Sequence, residues 1–423
     1  MSNYSAIIIS LPKLRKHPNA DRLQLCSLFG NQVIVGADAK EGQLGVYFPV
    51  ECQISEEFAR ENDLVRRKDA NGKPAGGMLE SNRRVRAIKL RGEKSEGLWL
   101  PFESLMHTGM VTAEELFEFE EFNGHPVCKK YTIVSRGTNT TPKQGKKPKE
   151  SIIVDNQFRF HMDTAQLGKN VQKINPDDLI VVTWKMHGTS AIASHCLVKK
   201  KMNWFMRLLA KFLPIITTEY KYIYASRRVI KNDDREHFHF YGSDIWSQVG
   251  YNKFFGLLHQ GETVYYEIVG FTEEGAWIQK DFDYGCMPDG FSVPKWKVYV
   301  YRITQTTPEG HVIELSWKQV KQRCVQIGVN YTPEIFHGKA FDLQTIEGEN
   351  FHDRFLAYLK NEYVRDQDSQ FCHNPVPEEG VCVRVERGLD IEIYKLKSFR
   401  FLEYETMSLD KAETNIEDEQ AAA

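Results

Sequence analysis

The stretch VVTWKMHGTS, residues 181–190, brings Lys185 out of an apolar run and follows it with His187, Gly188, Thr189 and Ser190. A lysine at such a place is either a surface residue at a turn or a nucleophile. A nucleophilic lysine must be neutral, which requires a pKa below its reference of about 10.4. Further along the chain, charged residues recur inside strand-like runs. ASRRVI carries Arg227, YYEIVG carries Glu267, EEGVCVR carries Glu379, and YKLK carries Lys395 and Lys397. The two glutamates offer hard oxygens to a divalent cation or acceptors to a sugar hydroxyl. Two lysines at alternate strand positions point to one face and can converge on one anion. A single charge in a strand is ordinarily a satisfied edge residue; a whole ordered series of them is poorly explained that way.

The elements that must position these residues read as follows. Asp177 and Asp178 form a turn before a strand from Leu179 to Trp184. Strands follow at 222–230, 264–271, 296–303, 377–386 and 393–399, each β-rich and bounded by turn residues. Residues 351–363 read as an ordinary amphipathic helix, and 199–214 as a helix docked on the domain with an exposed basic edge, with a membrane-surface helix or a direct RNA contact as the alternatives. Before residue 105 the pattern differs. SAIIIS, RLQLCSLF, NQVIVG, LGVYFPV, RRVRAIKL and GLWLP are short strands divided by Gly, Pro or Asn, which suggests a small barrel. Residues 66–94 hold ten Lys/Arg against three Asp/Glu. That is either a solvated face or a groove that tracks phosphates. The polar, Pro- and Gly-containing segment 135–150 is a linker, and the acidic stretch 408–423 a frayed tail.

Composition excludes several classes. The 423 residues are 41% hydrophobic and 26% charged with a formal net charge of −2, so the chain is not a globally basic nucleic-acid binder. Eight singly scattered cysteines without a CxxC pair signal neither a zinc site nor a disulfide framework. No long apolar run marks a leader or a membrane anchor. The expectation is an intracellular protein, cytoplasmic by default and not secreted, without a membrane partner.

Two resemblances sharpen this reading. HPNADRLQLCSLFGNQVIVG followed by AIKLRGEKSEGLWLP resembles the OB-fold domain of the tRNA-binding type attached to some aminoacyl-tRNA synthetases. Such a domain implies a barrel over about residues 1–105 that holds single strands, with Arg83, Arg84, Arg86 and Lys89 as RNA-binding candidates. The ordered series from Lys185 to Lys397 resembles the covalent nucleotidyltransferase superfamily. It is most similar to the ATP-dependent RNA ligases that seal 3'-hydroxyl ends and carry an N-terminal OB domain.

That resemblance implies an α+β chain: an OB-like β-barrel at 1–134, the linker at 135–150, and at 151–407 a nucleotidyltransferase domain of antiparallel sheets with flanking helices. It makes Lys185 the lysine that becomes adenylylated, with His187, Gly188 and Ser190 beside it and Trp184 before it. Arg227 would touch the ribose or the incoming phosphate, Glu267 the ribose hydroxyls, and Glu379 the metal and nucleotide, with Glu267 a second metal candidate. Lys395 and Lys397 would hold phosphates. The position aligned with the adenine-stacking aromatic is Val298, with Tyr299 and Tyr301 nearby. The implied cofactors are ATP and Mg²⁺ or Mn²⁺. The implied partner is RNA with 3'-hydroxyl and 5'-phosphate ends, in a nicked duplex, and the protein would act as a monomer. All of these residues lie beyond position 180, so lysine adenylylation is expected to need only the second block. DNA ligases and capping enzymes place an OB domain after the last lysines, where this chain has too few residues for one. An RNA-binding protein with an inactive transferase domain is the competing class.

Overall fold

The computed structural model describes residues 3–69, 71–72, 75–109, 113–132, 152–161, 163–202, 216–231, 244–346 and 348–410. The expected linker 135–150, most of the 199–214 stretch and the tail beyond 410 lie outside them.

The second block is built on two mainly antiparallel sheets. The first runs Ala165–Gln166, Asp390–Lys397, Gly380–Arg387, Leu179–Trp184, Glu334–Lys339 in spatial order. The second runs Thr218–Ser226, Thr189–Lys199, Glu262–Gly270, Trp296–Thr306, Val312–Glu314, with Asn330–Tyr331 added in parallel to Trp296–Thr306. The strand Leu179–Trp184 is central to the first sheet and covered on both faces, which is why it reads as a continuous apolar run. Its alternation sends Ile180 and Val182 to one core and Val181 to the other. On the first side lies the helix Phe351–Glu362, which buries Phe355, Leu356 and Leu359. Each contributes about 1.5–3 kcal/mol of apolar burial. On the other side the helices Ile245–Phe254 and Trp317–Ile327 contribute Trp246 and Trp317. The second of these starts at a Ser316/Gln319 capping box and stops at Gly328, whose φ of 68° suits glycine.

Lys185 to Gly188 form the crossover between the two sheets. The turn that launches this segment is as expected. Asp178 accepts from the Asn175 backbone N–H at 2.7 Å and from the Arg387 guanidinium at 2.6 and 2.9 Å.

In the first block each expected run contributes a strand, that of 83–90 only over Ala87–Leu90. Ala6–Ser10 lies between Glu118–Phe119 and Leu44–Phe48, with Leu98–Pro101 beyond. Arg15–Lys16, Leu23–Leu28 and Asn31–Gly36 form a second sheet, Ala87–Leu90 and Glu93–Glu96 a hairpin, and Cys52–Ile54 pairs with Cys128–Lys130. Among the described residues these remain separate sheets around two apolar cores, and no closed barrel is formed. The last helix, Phe399–Asp410, continues past the expected boundary at residue 407 and lies against the first block. All eight cysteines are free thiols, and no described helix is long and apolar enough to cross a membrane.

Candidate active site

A cavity opens where the crossover leaves the first sheet, and most of the residues singled out by sequence meet there. Trp184, Lys185, His187, Ser190, Arg227 and Glu267 line it, as do Glu379, Lys395 and Lys397. Lys185 is held from both ends. Its backbone N–H donates to Gly380 O at 2.9 Å, and its Nζ lies 2.7 Å from Glu379 Oε1. Gly380 has a φ of 139°, and a Cβ there would sit 2.1 Å from Leu396 O, so only glycine lets the two strands approach beside the lysine.

His187 is enclosed by aromatics, with the Phe282 and Phe401 rings edge-on at 4.6 and 4.8 Å, and its backbone N–H donates to the Tyr284 hydroxyl. Gly188 does not border the cavity, but its N–H donates to Glu267 Oε1 at 3.2 Å. A Cβ at Gly188 would meet Ile268 O at 2.2 Å, so the close approach that aims the Glu267 carboxylate also depends on glycine.

Arg227 follows the strand Thr218–Ser226 and donates from Nη2 to Asp163. Burial pushes the Asp163 carboxyl up, but Arg227 and Arg228 outweigh it and hold it below the usual range. Glu378, next to the Lys185 partner, is pushed up to about 7 by burial, with the charge of Glu379 adding to the effect. Lys395 and Lys397 project from one face of the strand Asp390–Lys397, as their spacing requires. Lys397 donates from Nζ to both oxygens of Glu405 at 2.7 and 2.8 Å. Burial alone would lower its pKa, but Glu405 and Glu51 hold it well above the ordinary lysine value.

Three expectations are corrected. Val298 is 3% exposed inside the core of the second sheet and does not reach the cavity. Tyr299 packs beside Met186 and Phe282, also away from the lining. The aromatic of this strand that reaches the cavity is Tyr301, whose hydroxyl is 2.7 Å from Ser190 Oγ and whose ring meets His161 edge-on at 5.3 Å. The register explains this: the Trp296–Thr306 strand alternates, so Val298 and Val300 enter the core while Tyr301 faces out of it.

The basic candidates of the first block are also placed differently. Arg84 is 1% exposed and donates from Nη2 to Thr406 O at 2.8 Å and Asp410 Oδ1 at 3.1 Å. Arg86 pairs with Asp410 at 2.9 Å and Lys89 with Glu403 at 3.4 Å. Arg83 donates from Nε to Ile54 O at 3.2 Å. Arg84 and Arg86 therefore hold the last helix rather than an open groove, while Lys89 stays exposed beside it. Their charges read as a nucleic-acid surface in sequence because the acidic helix that meets them lies more than 300 positions away.

The third correction is that one block does not enclose the cavity. Tyr4, Glu51 and Lys130 of the first block line it together with Lys185 and Lys397. Nothing local in the sequence marks these residues, because only the long-range docking of the blocks brings them in. His161, Asp163 and Thr332 of the lining carried no sequence signal either.

The carboxylates of Glu379 and Glu267 fit a hard divalent cation. Among the described residues no group of three or more such ligands occurs, so a cation here would draw its remaining ligands from phosphates and water.

No protein-family model matches the chain, and no curated protein matches it. Solved structures do. A Naegleria gruberi RNA ligase mutant with AMP and Mn superposes with a TM-score of 0.60 at 16% identity, over 94% of this chain and 98% of that one. A second mutant of that ligase, with ATP and Mn, gives 0.59 at 15% identity over 94% and 98%. The ligase with PPi gives 0.59 at 16% identity over 95% and 99%. Over nearly its whole length, this chain has the fold of the Naegleria gruberi RNA ligase.

Proposed function

We propose that the chain is an ATP-dependent RNA ligase that joins 3'-hydroxyl and 5'-phosphate ends through lysyl-AMP and RNA-adenylate intermediates, acting as a monomer in RNA repair at nicks. The observation that carries the reading is the placement of Lys185. Its amine is 2.7 Å from a buried carboxylate and shares one cavity with Glu267, Arg227, Lys395 and Lys397. The same fold in a ligase that binds ATP, AMP and Mn supports it.

Each residue then has a task. Lys185 gives its proton up before attacking the α-phosphate, and pyrophosphate leaves as the phosphoramidate forms. Lys395 and Lys397 balance the charge that develops on the phosphates. Glu267, aimed by the Gly188 N–H, accepts from the ribose hydroxyls. Tyr301, fixed by Ser190, supplies the flat face for adenine that Val298 lacks. When bound, Mg²⁺ or Mn²⁺ at Glu379, with Glu267 nearby, would supply positive charge at the phosphates. The first block is read as an OB-type RNA-binding domain over residues 1–134, with the catalytic domain from 151.

An inactive transferase is disfavoured because Lys185, both glutamates and both lysines all border one cavity. The test is incubation with α-labelled ATP or GTP and Mg²⁺ or Mn²⁺. Acid-labile label from ATP should appear on the wild type and vanish in Lys185→Ala. Label that persists in the mutant, or that arises only from GTP, refutes the reading.

A further inference from the structure

We propose that Glu51, a residue of the first block, is a positioning residue for Lys397 in lysine adenylylation; the proposal rests on the ligase reading above. Glu51 sits just before the short strand Cys52–Ile54, with a φ of 67°. That is left-handed backbone, costly for a residue with a Cβ and worth explaining when the residue is neither Gly nor Asn. The turn is pinned on both sides: the Glu51 N–H donates to Val85 O at 3.0 Å, and its C=O accepts from Tyr131 N–H at 2.9 Å. The result is a carboxylate pushed out of the first block and across to the second. It lies 3.8 Å from Lys397 Nζ and against Glu405 of the last helix.

A segment of the first block, more than 300 positions away, thus joins the neighbouring last helix around one ammonium. Burial and the charge of Glu51 push the Glu405 carboxyl well above the usual range, whereas at Glu51 burial is outweighed by Lys397, which holds its carboxyl below that range, so Glu51 carries the negative charge. That charge balances Lys397. Without it, a lysine this enclosed would lose its proton to desolvation and be useless to a phosphate. Glu405 provides the close contact, while Glu51 closes the far side and prevents the Lys397 side chain from swinging into the second cavity that both residues also line. Lysine has four rotatable bonds and no fixed geometry of its own, so its aim has to come from its surroundings. A carboxylate delivered by the first block makes that aim depend on the docking of the two blocks. The first block therefore takes part in forming lysyl-AMP and does not act only by holding RNA.

The test uses the full-length protein and single-turnover formation of lysyl-AMP from α-labelled ATP at saturating ATP. Glu51→Gln and Glu51→Gly should each slow the step by roughly 10- to 100-fold, the range for losing one charged partner. Glu51→Gly relieves the left-handed backbone, which offsets part of the stability lost with the charge, and a Tm near that of the wild type keeps a rate loss from being assigned to unfolding. Glu51→Asp, which keeps the charge and tolerates that backbone, should recover part of the rate. The decisive comparison is a double-mutant cycle. In a Lys397→Met background, Glu51→Gln should cost nothing more, because its effect runs through the lysine. Wild-type label with unaltered Glu51 variants, or additive losses in the cycle, overturns the Glu51 proposal alone. No label on the wild type overturns the ligase reading and takes this proposal with it.

Discussion

Changing Arg84 to alanine separates two readings of the basic segment. If Arg84 held RNA, its loss would weaken RNA binding, lower the salt slope by about one phosphate contact and leave folding alone. The structure argues for the reverse. The Nη2 group donates to Thr406 O at 2.8 Å and to Asp410 Oδ1 at 3.1 Å, and the guanidinium lies 5.1 Å from the Tyr131 ring centroid. Losing a hydrogen bond to a charged group costs about 1.5–3 kcal/mol, and because one nitrogen serves both acceptors it is counted once. The ring contact adds about 0.5–1 kcal/mol. In the other direction, Nε and Nη1 are buried without a hydrogen-bond partner among the described residues, and truncation removes that penalty of about 1–3 kcal/mol. Asp410 also retains Arg86 at 2.9 Å. The balance is a net loss of about 1 kcal/mol. Thermal denaturation should show Tm falling by about a degree. Limited proteolysis should cut within 399–410 sooner, and RNA affinity at fixed salt should change little. An unchanged Tm together with weaker, less salt-dependent RNA binding would refute the placement of Arg84 beneath the last helix.

Lys395→Ala and Lys397→Ala should each raise the barrier to lysyl-AMP formation by about 2–4 kcal/mol, as for the loss of one preorganised donor, measured by single-turnover labelling. Gly188→Ala should slow the same step and destabilise the fold by about 1–3 kcal/mol, since its Cβ would meet Ile268 O at 2.2 Å; a denaturant titration checks the second effect. Burial pushes the Asp178 carboxyl up, but hydrogen bonds from Arg387 hold it below the usual range, so its contribution is present above the unfolded value of about 3.9 and lost as pH falls through the folded one. Asp178→Asn should therefore lower Tm at neutral pH, and the gap to the wild type should narrow below about pH 3.9. A protein lacking residues 1–134 should fail to form lysyl-AMP, because Tyr4, Glu51 and Lys130 complete the cavity; normal labelling in such a truncation would restore the single-block assignment.

Much of the site could be read from local spacing, and the reason is geometric. Lys185 lies at the end of a strand buried on both faces, so its apolar run stands out. Glu267, Glu379, Lys395 and Lys397 interrupt β-rich runs at positions that alternation directs to one side. Tyr301 against Val298 shows where local reading fails. Both lie in one strand three positions apart, so alternation puts them on opposite faces, and only the assembled sheet shows which face meets the cavity. Glu51 was beyond reach for another reason. Its role comes from the docking of blocks whose contacting residues are hundreds of positions apart, and no periodicity records that. Arg84 shows the converse error, where a local excess of charge looked like a surface until a distant acidic helix covered it.

The 322-residue separation between Arg84 and Thr406 also has a consequence in time. At about 5–20 residues per second, residues 399–410 leave the ribosome roughly 15 to 65 s after Arg84 does. Until that helix emerges the first block can bury its own core, but Arg84 remains open to water. Phe401 is likewise absent from its place beside His187. On the ligase reading, Lys395, Lys397 and the helix that secures the two blocks all emerge in one short stretch, so catalytic competence would arrive in one late step rather than growing with chain length.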